Sequence, residues 1–384
     1  MAREGTARRV AIIGGGVIGL SIARAAARAG CAVEVLERDR IGGGASSAAS
    51  GIVTLGLHGK SAFRRLRREG FSAMERWLPT LPAVDGAPVG EFRPAVRLFP
   101  EPPPNPTKLL EAWRAAGHTA RFVPPSEIAE HLPDLDRESV HVGLLFDREI
   151  IVDPDRLLRS LAADVRRHGG VIEEQLGALS IEPVGDDAVR VVDGSGNERA
   201  NRATHVVVTA GWRSLAALSP LPTPPLPLAP VGGIGIEVDL PGDAGDWTVH
   251  FGEKGRRHRL VRGRRDGATR VYLGSTVRAE GSSDGPTEEE IAALLEAAQE
   301  HFGGSIDRSS LVVHDGLRPK TTLLGGPLVG AFPGRARLWI ATGHYRVGVA
   351  ACAATAESLL AAWGLPAAAD PPHGDFAVDR GWTR

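Results

Sequence analysis

The sequence predicts an α/β fold with two domains, one built on a parallel sheet with helices and one an α+β domain built on an antiparallel sheet. A strand, a glycine-rich turn, a helix and a second strand follow one another from Arg9 to Glu37, which is how a parallel sheet begins. A buried strand at Thr204–Trp212 and a later strand and helix at 337–363 continue this pattern. Strands with only one helix fill residues 231–313, which indicates the second domain. The length of 384 residues is sufficient for two hydrophobic cores.

Proline-rich segments indicate the domain boundaries. Residues 79–106 are rich in proline, and Leu218–Pro230 has too many prolines for a helix or a central strand. We therefore predict a discontinuous organisation, in which each domain is assembled from separate segments. The predicted segments are 1–80, 146–217 and 313–370 for the first domain, 81–145 and 218–312 for the substrate-binding domain, and 371–384 for a C-terminal tail.

Composition favours a small-molecule partner. The chain has 45 Lys and Arg against 46 Asp and Glu, so its net charge of −1 attracts neither nucleic acid nor an anionic membrane. Cys31 and Cys352 are far apart, which predicts buried apolar residues rather than a disulfide or a metal site. The basic start followed by an apolar run resembles a secretion signal, but its glycine spacing argues against one. With no apolar stretch long enough to span a membrane, we predict a soluble, cytoplasmic protein.

The glycines of the first turn predict a dinucleotide site of the Rossmann type. Gly14, Gly16 and Gly19 form a G-x-G-x-x-G pattern between a strand and a helix, the context that makes this pattern specific. Gly14 permits the tight turn, Gly16 admits a pyrophosphate and Gly19 lets the helix pack on the strand. Glu37 ends the second strand, where a carboxylate accepts hydrogen bonds from an adenosine ribose and disfavours a 2′-phosphate.

Helix signals recur along the chain. Asp153 is a predicted N-cap, Pro154 the first helical residue and Gly169 the stop of one helix. Residues 60–78 form a basic amphipathic stretch, and residues 285–304 form a helix with acidic residues in its first turn. The Gly/Ser/Ala loop at 41–53 is expected to open a further helix.

Taken together, these motifs resemble the FAD-dependent D-amino-acid oxidase superfamily, and within it the glycine oxidases of thiamine biosynthesis. The resemblance extends over nearly the whole chain in the expected order. The glycine motif alone does not distinguish NAD from FAD, and the resemblance implies FAD. The segment before Gly316 reads VVHDG and lacks a cysteine, so the FAD is expected to be bound non-covalently. The matching stretches are Gly14–Gly19 with Glu37, 42–53, 152–158, 206–212, 274–276, 316–319 and 341–348.

The resemblance implies site residues at matching positions. Arg318 and Arg346 match two arginines around the substrate carboxylate, which suits a guanidinium because its planar fork binds a carboxylate bidentately. Tyr345 and Arg259 complete the set of predicted catalytic residues, and His344 and Tyr345 are candidates for shaping the flavin environment. The residues implied to contact FAD are Gly14, Gly16, Val17, Ile18, Gly19, Glu37, Arg38, Ala45, Ser46, Ser50, Gly51, Ile52, Ala178, Gly211, His344, Arg346, Val347, Gly348, Val349 and Ala350.

The chain departs from this family where relatives bind substrate. Relatives carry an asparagine at the position of Val347, and an Arg-Gly-Gln-like motif in place of residues 232–234. Residues 256–267 are arginine-dense where relatives have a tyrosine-containing strand, and no tyrosine remains there. A solvated face is the usual role of such a strand, and a pocket for an amine with an extra acidic group is the alternative, with Arg259 and Arg262 the nearest candidates.

The resemblance implies a flavoprotein oxidase of glycine or a related small amino acid or N-substituted glycine. Hydride transfer from the α-carbon to flavin N5 would give an imine, which hydrolyses to glyoxylate or a keto acid, with O2 as the electron acceptor and H2O2 as product. Three alternatives stay open: an amino-acid dehydrogenase that uses another acceptor, a specialised biosynthetic oxidase of an anionic amine, and a non-catalytic flavin-binding subunit. Relatives often form homo-oligomers, so a homo-oligomer is possible, but the sequence does not specify the oligomeric state.

Overall fold

The structure is a computed structural model, and it describes residues 8–55, 61–133, 135–185, 188–221, 225–240, 247–251, 258–265, 268–302, 306–322, 326–368 and 376–378. The side chains of 240, 258–265, 268–270, 300–302 and 307 are outside this description. In the described part of the chain, no helix is long and apolar enough to cross a membrane. The helices are α1 (Val17–Arg28), α2 (Ala62–Trp77), α3 (Pro106–Ala115), α4 (Pro125–His131), α5 (Pro154–Arg167), α6 (Ser214–Leu218), α7 (Glu288–Phe302) and α8 (Gly348–Ala362).

The strands belong to two large sheets and two small ones. They are β1 (Arg9–Ile13), β2 (Ala32–Leu36), β3 (Ile52–Val53), β4 (Gly90–Phe99), β5 (Ala120–Val123), β6 (Val142–Val152), β7 (Val171–Glu173), β8 (Ser180–Val184), β9 (Ala188–Val192), β10 (Glu198–Arg199), β11 (His205–Val208), β12 (Leu228–Val231), β13 (Ile234–Leu240), β14 (Thr248–Phe251), β15 (His258–Arg265), β16 (Ala268–Gly274), β17 (Asp307–Asp315), β18 (Arg318–Thr321), β19 (Leu328–Phe332) and β20 (Arg335–Thr342).

The predicted α/β architecture is confirmed. The first large sheet has six strands in the order β19-β20-β11-β1-β2-β7, all parallel except β19. Its strand β1 is buried on both faces: Val10 and Ile12 join the core that contains α1, α5 and α8, and Ala11 and Ile13 join the core on the other face. Parallel strands covered on both sides are apolar throughout, which is why RVAII was recognisable as a strand.

The second large sheet has nine strands and is mainly antiparallel. Eight of its strands run in the order β17-β13-β16-β15-β14-β4-β6-β3, and β5 pairs with β6 off this path. Only β14 and β4 are parallel neighbours in it. Helices α4 and α7 cover one face through a core that contains Ile128, Ile236 and Leu294. The opposite face lies toward the first sheet, because β3 and β6 also contribute Val53 and Ile150 to the core around α1.

The helix signals were read correctly in most places. Asp153 is the N-cap of α5 and accepts a hydrogen bond from the N–H of Arg156 at 2.9 Å, and Gly169 has φ +82°. The helix expected to open within residues 41–53 is wrong: residues 41–49 form turns, because three successive glycines disfavour a helix and Gly42 has φ +73°. Cys31 and Cys352 are buried and unpaired, as predicted.

The predicted division into domains stays a prediction. Its boundary between residues 145 and 146 falls inside β6, which is continuous in the nine-stranded sheet. The predicted tail, 371–384, lies outside the described residues except for 376–378, of which Phe376 and Val378 are buried.

Candidate functional site

One cavity lies between the two large sheets, at the carboxyl ends of the parallel strands. Ile13, Glu37, Thr209 and Thr342, at or just after the ends of β1, β2, β11 and β20, form its floor, and its volume is about 420 Å³. In open α/β sheets, the crevice at this edge is where ligands bind. Tyr272 and other residues of the nine-stranded sheet close the opposite side.

The turn between β1 and α1 requires its glycines for steric reasons. Gly14 has φ +112°, and a Cβ there would lie 2.9 Å from the carbonyl oxygen of Thr209. A Cβ on Gly19 would lie 2.0 Å from the carbonyl oxygen of Gly14, so only glycine lets α1 pack this closely against the turn. Gly16 borders the cavity, and its missing side chain keeps the backbone accessible to a ligand.

Glu37 is held rigidly at the edge of the cavity. It is 9% exposed, and its carboxylate accepts hydrogen bonds from the N–H of Gly15 at 2.7 Å and of Asp39 at 2.9 Å. Both bonds are charge-assisted. A carboxylate oxygen accepts more than one hydrogen bond, so Glu37 keeps acceptor capacity on the side that faces the cavity.

Two helices direct their N-termini at the cavity, and at α1 the hydroxyl of Ser46 accepts a hydrogen bond from the N–H of Val17 at 3.0 Å. Gly16, the N-cap of α1, and Val347, the N-cap of α8, form no side-chain cap hydrogen bond, and neither helix has an acidic residue in its first turn. The partial positive charge of both helix ends is therefore available to a ligand. Gly348, Val349 and Ala350 of α8 line the cavity directly.

Arg318, the first residue of β18, also lines the cavity. Its Nη1 donates to the carbonyl oxygens of Thr276 at 3.0 Å and Gly232 at 3.4 Å. Burial, and secondly the neighbouring Arg346, lower the pKa of the Arg318 guanidinium from its ordinary value. Among the described residues, no carboxylate forms an ion pair with either arginine. Two guanidinium groups thus lie near one another without an acidic partner among the described residues, an arrangement that can bind an anion.

A strained turn brings Arg346 to this place. Tyr345 has φ +51°, a conformation that is unfavourable for residues other than glycine. Its N–H donates to the carbonyl oxygen of Pro319 at 2.7 Å, and Val347 donates to the carbonyl oxygen of His344 at 3.0 Å. These bonds hold residues 344–346 against the strand that carries Arg318, and Arg346 donates to the hydroxyl of Ser275 at 3.3 Å.

His344 is buried in its neutral form. Its Nε2 is 2.9 Å from the hydroxyl of Thr355, and its Nδ1 has no hydrogen-bond partner among the described residues. Burial lowers the pKa of its imidazole to about 3. An uncharged histidine therefore borders the cavity, and its role in the flavin environment stays a prediction.

Most residues predicted to form the site line this one cavity. Gly19 and Val347 do not line it in the described part of the chain, since Gly19 serves helix packing and Val347 is 8% exposed in the core around α1. Arg259 pairs with Gly274 across β15 and β16, and its side chain lies outside the described residues. Its catalytic role stays a prediction. The predicted residues that line the cavity are Gly14, Gly16, Val17, Ile18, Glu37, Arg38, Ala45, Ser46, Ser50, Gly51, Ile52, Ala178, Gly211, Arg318, His344, Tyr345, Arg346, Gly348, Val349 and Ala350.

Tyr272 and the role of Gly233 were not predicted from the sequence. Tyr272 lines the cavity from β16, the strand next to the arginine-dense one. A Cβ on Gly233 would lie 2.3 Å from Nη1 of Arg318, so the glycine makes room for the guanidinium. The available signal was composition: the chain has only two tyrosines, and both Tyr272 and Tyr345 line the cavity.

Comparison with known proteins agrees with this geometry. The model of the DAO family, FAD dependent oxidoreductase, matches residues 9–363. The chain belongs to this family. A glycine oxidase of Pseudomonas aeruginosa is 29% identical over 375 residues, covering 91% of this chain and 93% of that protein. A glycine oxidase of Bacillus licheniformis is 26% identical over 352 residues, covering 91% and 90%. The crystal structure of glycine oxidase from Geobacillus kaustophilus has a TM-score of 0.79 with 24% identity, covering 97% and 99%.

The cofactor of this FAD-dependent oxidoreductase is FAD, and the cavity fits it. Its Glu37 end offers a ribose acceptor, and the α1 N-terminus offers positive charge for a pyrophosphate. The N-terminus of α8 also borders the cavity and offers positive charge there, and the N–H of Tyr345, just before α8, donates to the carbonyl oxygen of Pro319, the residue after Arg318. FAD supplies the electron-accepting ring, and the protein supplies binding, orientation and charge. The individual contact residues stay predictions.

Glu37→Gln is expected to weaken FAD binding about 10- to 100-fold. The amide keeps the size of the side chain, but its NH2 group would face a backbone N–H and the charge would be lost, which costs about 1.5–3 kcal/mol. Titration of the apoprotein with FAD, followed by flavin fluorescence, measures the effect. Glu182→Gln is the control, because Glu182 is paired with Arg190 on the surface. An unchanged FAD dissociation constant for Glu37→Gln contradicts the assignment.

His344 is expected to make stability depend on pH. Its folded pKa of about 3 lies below the ordinary value of 6.5, so the unfolded chain binds the proton first as the pH falls. The free energy of unfolding should therefore fall as the pH drops through the window from 6.5 toward 3. The expected slope is about 1.4 kcal/mol per pH unit for one proton. Urea unfolding at pH 7, 6 and 5 should show a smaller slope in His344→Gln than in the unmodified protein, and equal slopes would contradict the neutral state.

Proposed function

We propose that the protein oxidises glycine, or a related small amino acid or N-substituted glycine, at the bond between the α-carbon and nitrogen. Two electrons and two protons leave the substrate, and the imine that forms is hydrolysed to glyoxylate or a keto acid with release of ammonia or an amine. The electrons pass on to O2, which becomes H2O2. The glycine oxidases among the relatives support this assignment of the substrate class.

The observation that carries the proposal is Arg318. Its side chain is fixed by two carbonyl oxygens, it borders the cavity, and no described carboxylate is paired with it. Binding a substrate carboxylate would supply the missing anion and fix the direction of the α-carbon. Fixing that carbon in one orientation is a large part of catalysis. The entropic cost of bringing the reacting groups together is then met on binding rather than in the chemical step.

The other residues of this end have supporting roles in the proposal. Arg346, which is exposed, lies at the mouth and attracts the carboxylate before it reaches Arg318. His344 stays neutral, so it adds no charge beside the N-terminus of α8. The positive end of this helix dipole stabilises negative charge in the part of the cavity that it borders. No side-chain general base is required, since an amine substrate in its neutral form can lose its electrons directly.

A second acidic group on the substrate is favoured by one observation. Arg318 and Arg346 both lack a described acidic partner. If one of them binds a carboxylate, the other guanidinium group is still without an anion. An N-substituted glycine with a second carboxylate would engage both. Preference for N-carboxymethylglycine over glycine would support this variant of the proposal, and preference for glycine would exclude it.

Anaerobic bleaching of the bound flavin tests the proposed function. The FAD-loaded protein is mixed with glycine, sarcosine, D-amino acids and N-carboxymethylglycine, and loss of the oxidised flavin absorbance is recorded. We expect bleaching by at least one of them, and O2 uptake with H2O2 release on readmission of air. Bleaching that is reversed by quinones but slowly by O2 would identify a dehydrogenase. Absence of bleaching by every amine would contradict the proposal and favour a non-catalytic flavin-binding subunit.

A further inference from the structure

Tyr272 of β16 lies where the nine-stranded sheet contacts the turns at residues 41–49, which border the cavity. It is 8% exposed, and Ile52 packs against its ring. Its hydroxyl donates to the carbonyl oxygen of Ala48 at 3.4 Å, which is a long and weak hydrogen bond. Ala48, Ile52 and Tyr272 all line the cavity. The phenol therefore belongs to the cavity wall rather than to the interior of a core.

Two glycines make room for this ring. Gly235 of β13 pairs with Gly274 of β16 in the sheet. A Cβ on Gly235 would lie 2.0 Å from the hydroxyl oxygen of Tyr272, and one on Gly274 would lie 2.7 Å from the ring. The ring thus lies flat across both glycines, and a side chain at either position would displace it.

The phenol acts on the same end of the cavity as Arg318. Gly233 and Gly235 lie two residues apart. The Arg318 guanidinium occupies the space that a side chain on Gly233 would take, and the Tyr272 hydroxyl occupies the space that a side chain on Gly235 would take. A cation and a phenol hydroxyl are thereby placed side by side over one glycine-rich strand.

Tyr272 pairs with Val261 of β15, the strand that holds the arginine-dense segment.

We propose that Tyr272 is the substrate-orienting residue of this site, with its hydroxyl sharing the substrate carboxylate with Arg318 and its ring limiting the size of the substrate. Supplying the tyrosine from β16 requires glycine at positions 235 and 274, which explains both. The inference rests on the proposed function for the identity of the substrate, but the binding of a carboxylate can be measured without turnover.

The test separates the hydroxyl from the ring. Tyr272→Phe removes only the hydroxyl, and Tyr272→Ala also removes the ring. Acetate serves as an inert carboxylate, and its dissociation constant is read from the change it causes in the flavin absorbance. Thr248→Val is the matched control, because it removes a buried hydroxyl from β14 of the same sheet. We expect acetate to bind about 10-fold more weakly to Tyr272→Phe, as for loss of a hydrogen bond to a charged group, and unchanged to Thr248→Val.

Removal of the ring has a separate readout. In Tyr272→Ala, the rate of anaerobic bleaching by N-benzylglycine relative to glycine should rise at least 10-fold. Acetate binding and relative rates that equal those of the unmodified protein in both variants would overturn the inference. If no amine bleaches the unmodified protein while Tyr272→Phe still weakens acetate binding, the proposed function fails and the carboxylate role of Tyr272 stands.

Discussion

Arg318→Met is expected to lower kcat/KM for the amine substrate about 1000-fold, which corresponds to about 4 kcal/mol of lost transition-state stabilisation. Methionine keeps the length of the side chain but leaves the substrate carboxylate without a partner in a partly enclosed site. The bidentate grip that orients the α-carbon is lost as well, so both kcat and KM should change. Steady-state kinetics and the anaerobic rate of flavin bleaching measure the two effects.

The same substitution should leave stability intact. Arg318 is partly buried with no described acidic partner, so its removal releases a desolvated charge and breaks no ion pair. Arg335→Met is the matched control, because Arg335 also donates to two carbonyl oxygens, those of Gly185 at 2.8 Å and Ala188 at 3.0 Å, away from the cavity. Full activity of Arg318→Met, or equal losses in both variants, would contradict carboxylate binding by Arg318.

Asp164→Ala is expected to lower the free energy of unfolding by about 3–5 kcal/mol. Asp164 of α5 is 1% exposed and pairs with Nε of Arg24 in α1 at 2.8 Å, and Arg24 is itself only 3% exposed. Arg24 also donates to the hydroxyl of Thr80 at 2.7 Å and lies over the ring of Trp77. Removing the carboxylate leaves the guanidinium buried without an anion, and α1 carries the dinucleotide turn.

Urea unfolding monitored by circular dichroism measures this loss, and FAD release is expected at lower urea than in the unmodified protein. Asp155→Ala, an exposed position on the same helix, is the control and should change stability by less than about 1 kcal/mol. The double variant Arg24→Leu with Asp164→Leu should recover most of the stability, because two apolar side chains replace a desolvated pair. If Asp164→Ala has the same free energy of unfolding as Asp155→Ala, the ion pair between Arg24 and Asp164 contributes little to stability.

The first half of the site was predictable because its signals are local. Gly14, Gly16, Gly19 and Glu37 lie within one strand-turn-helix-strand unit, whose backbone geometry determines which residue types fit. Capping residues such as Asp153 act on the amides a few positions away, so they too are visible in sequence. The turn at 41–49 was misread, because small residues are compatible with helix packing and with a loop around a ligand alike.

The substrate half depended on contacts between distant segments. Arg318 and Arg346 were recognised through resemblance, but only the structure shows that they meet without a described acid between them. Tyr272 was missed because nothing in its neighbours reveals that Gly235, 37 positions earlier, leaves space for its ring. Arg24 looks like a surface residue in a helix of small side chains, and its burial follows from Asp164, which is 140 residues away in sequence.

The sequence by itself determined the strand-turn-helix-strand unit at residues 9–37, the fold class and the family, since these depend on residue types at short spacing. The tertiary structure alone decided which side chains face the cavity, which charges are paired and that Tyr272 lies in the cavity wall. The physical reason is that packing and ion pairing join residues through space, and the register of β13, β15 and β16 sets these neighbours. Strand register is specified by the whole sheet rather than by any one strand.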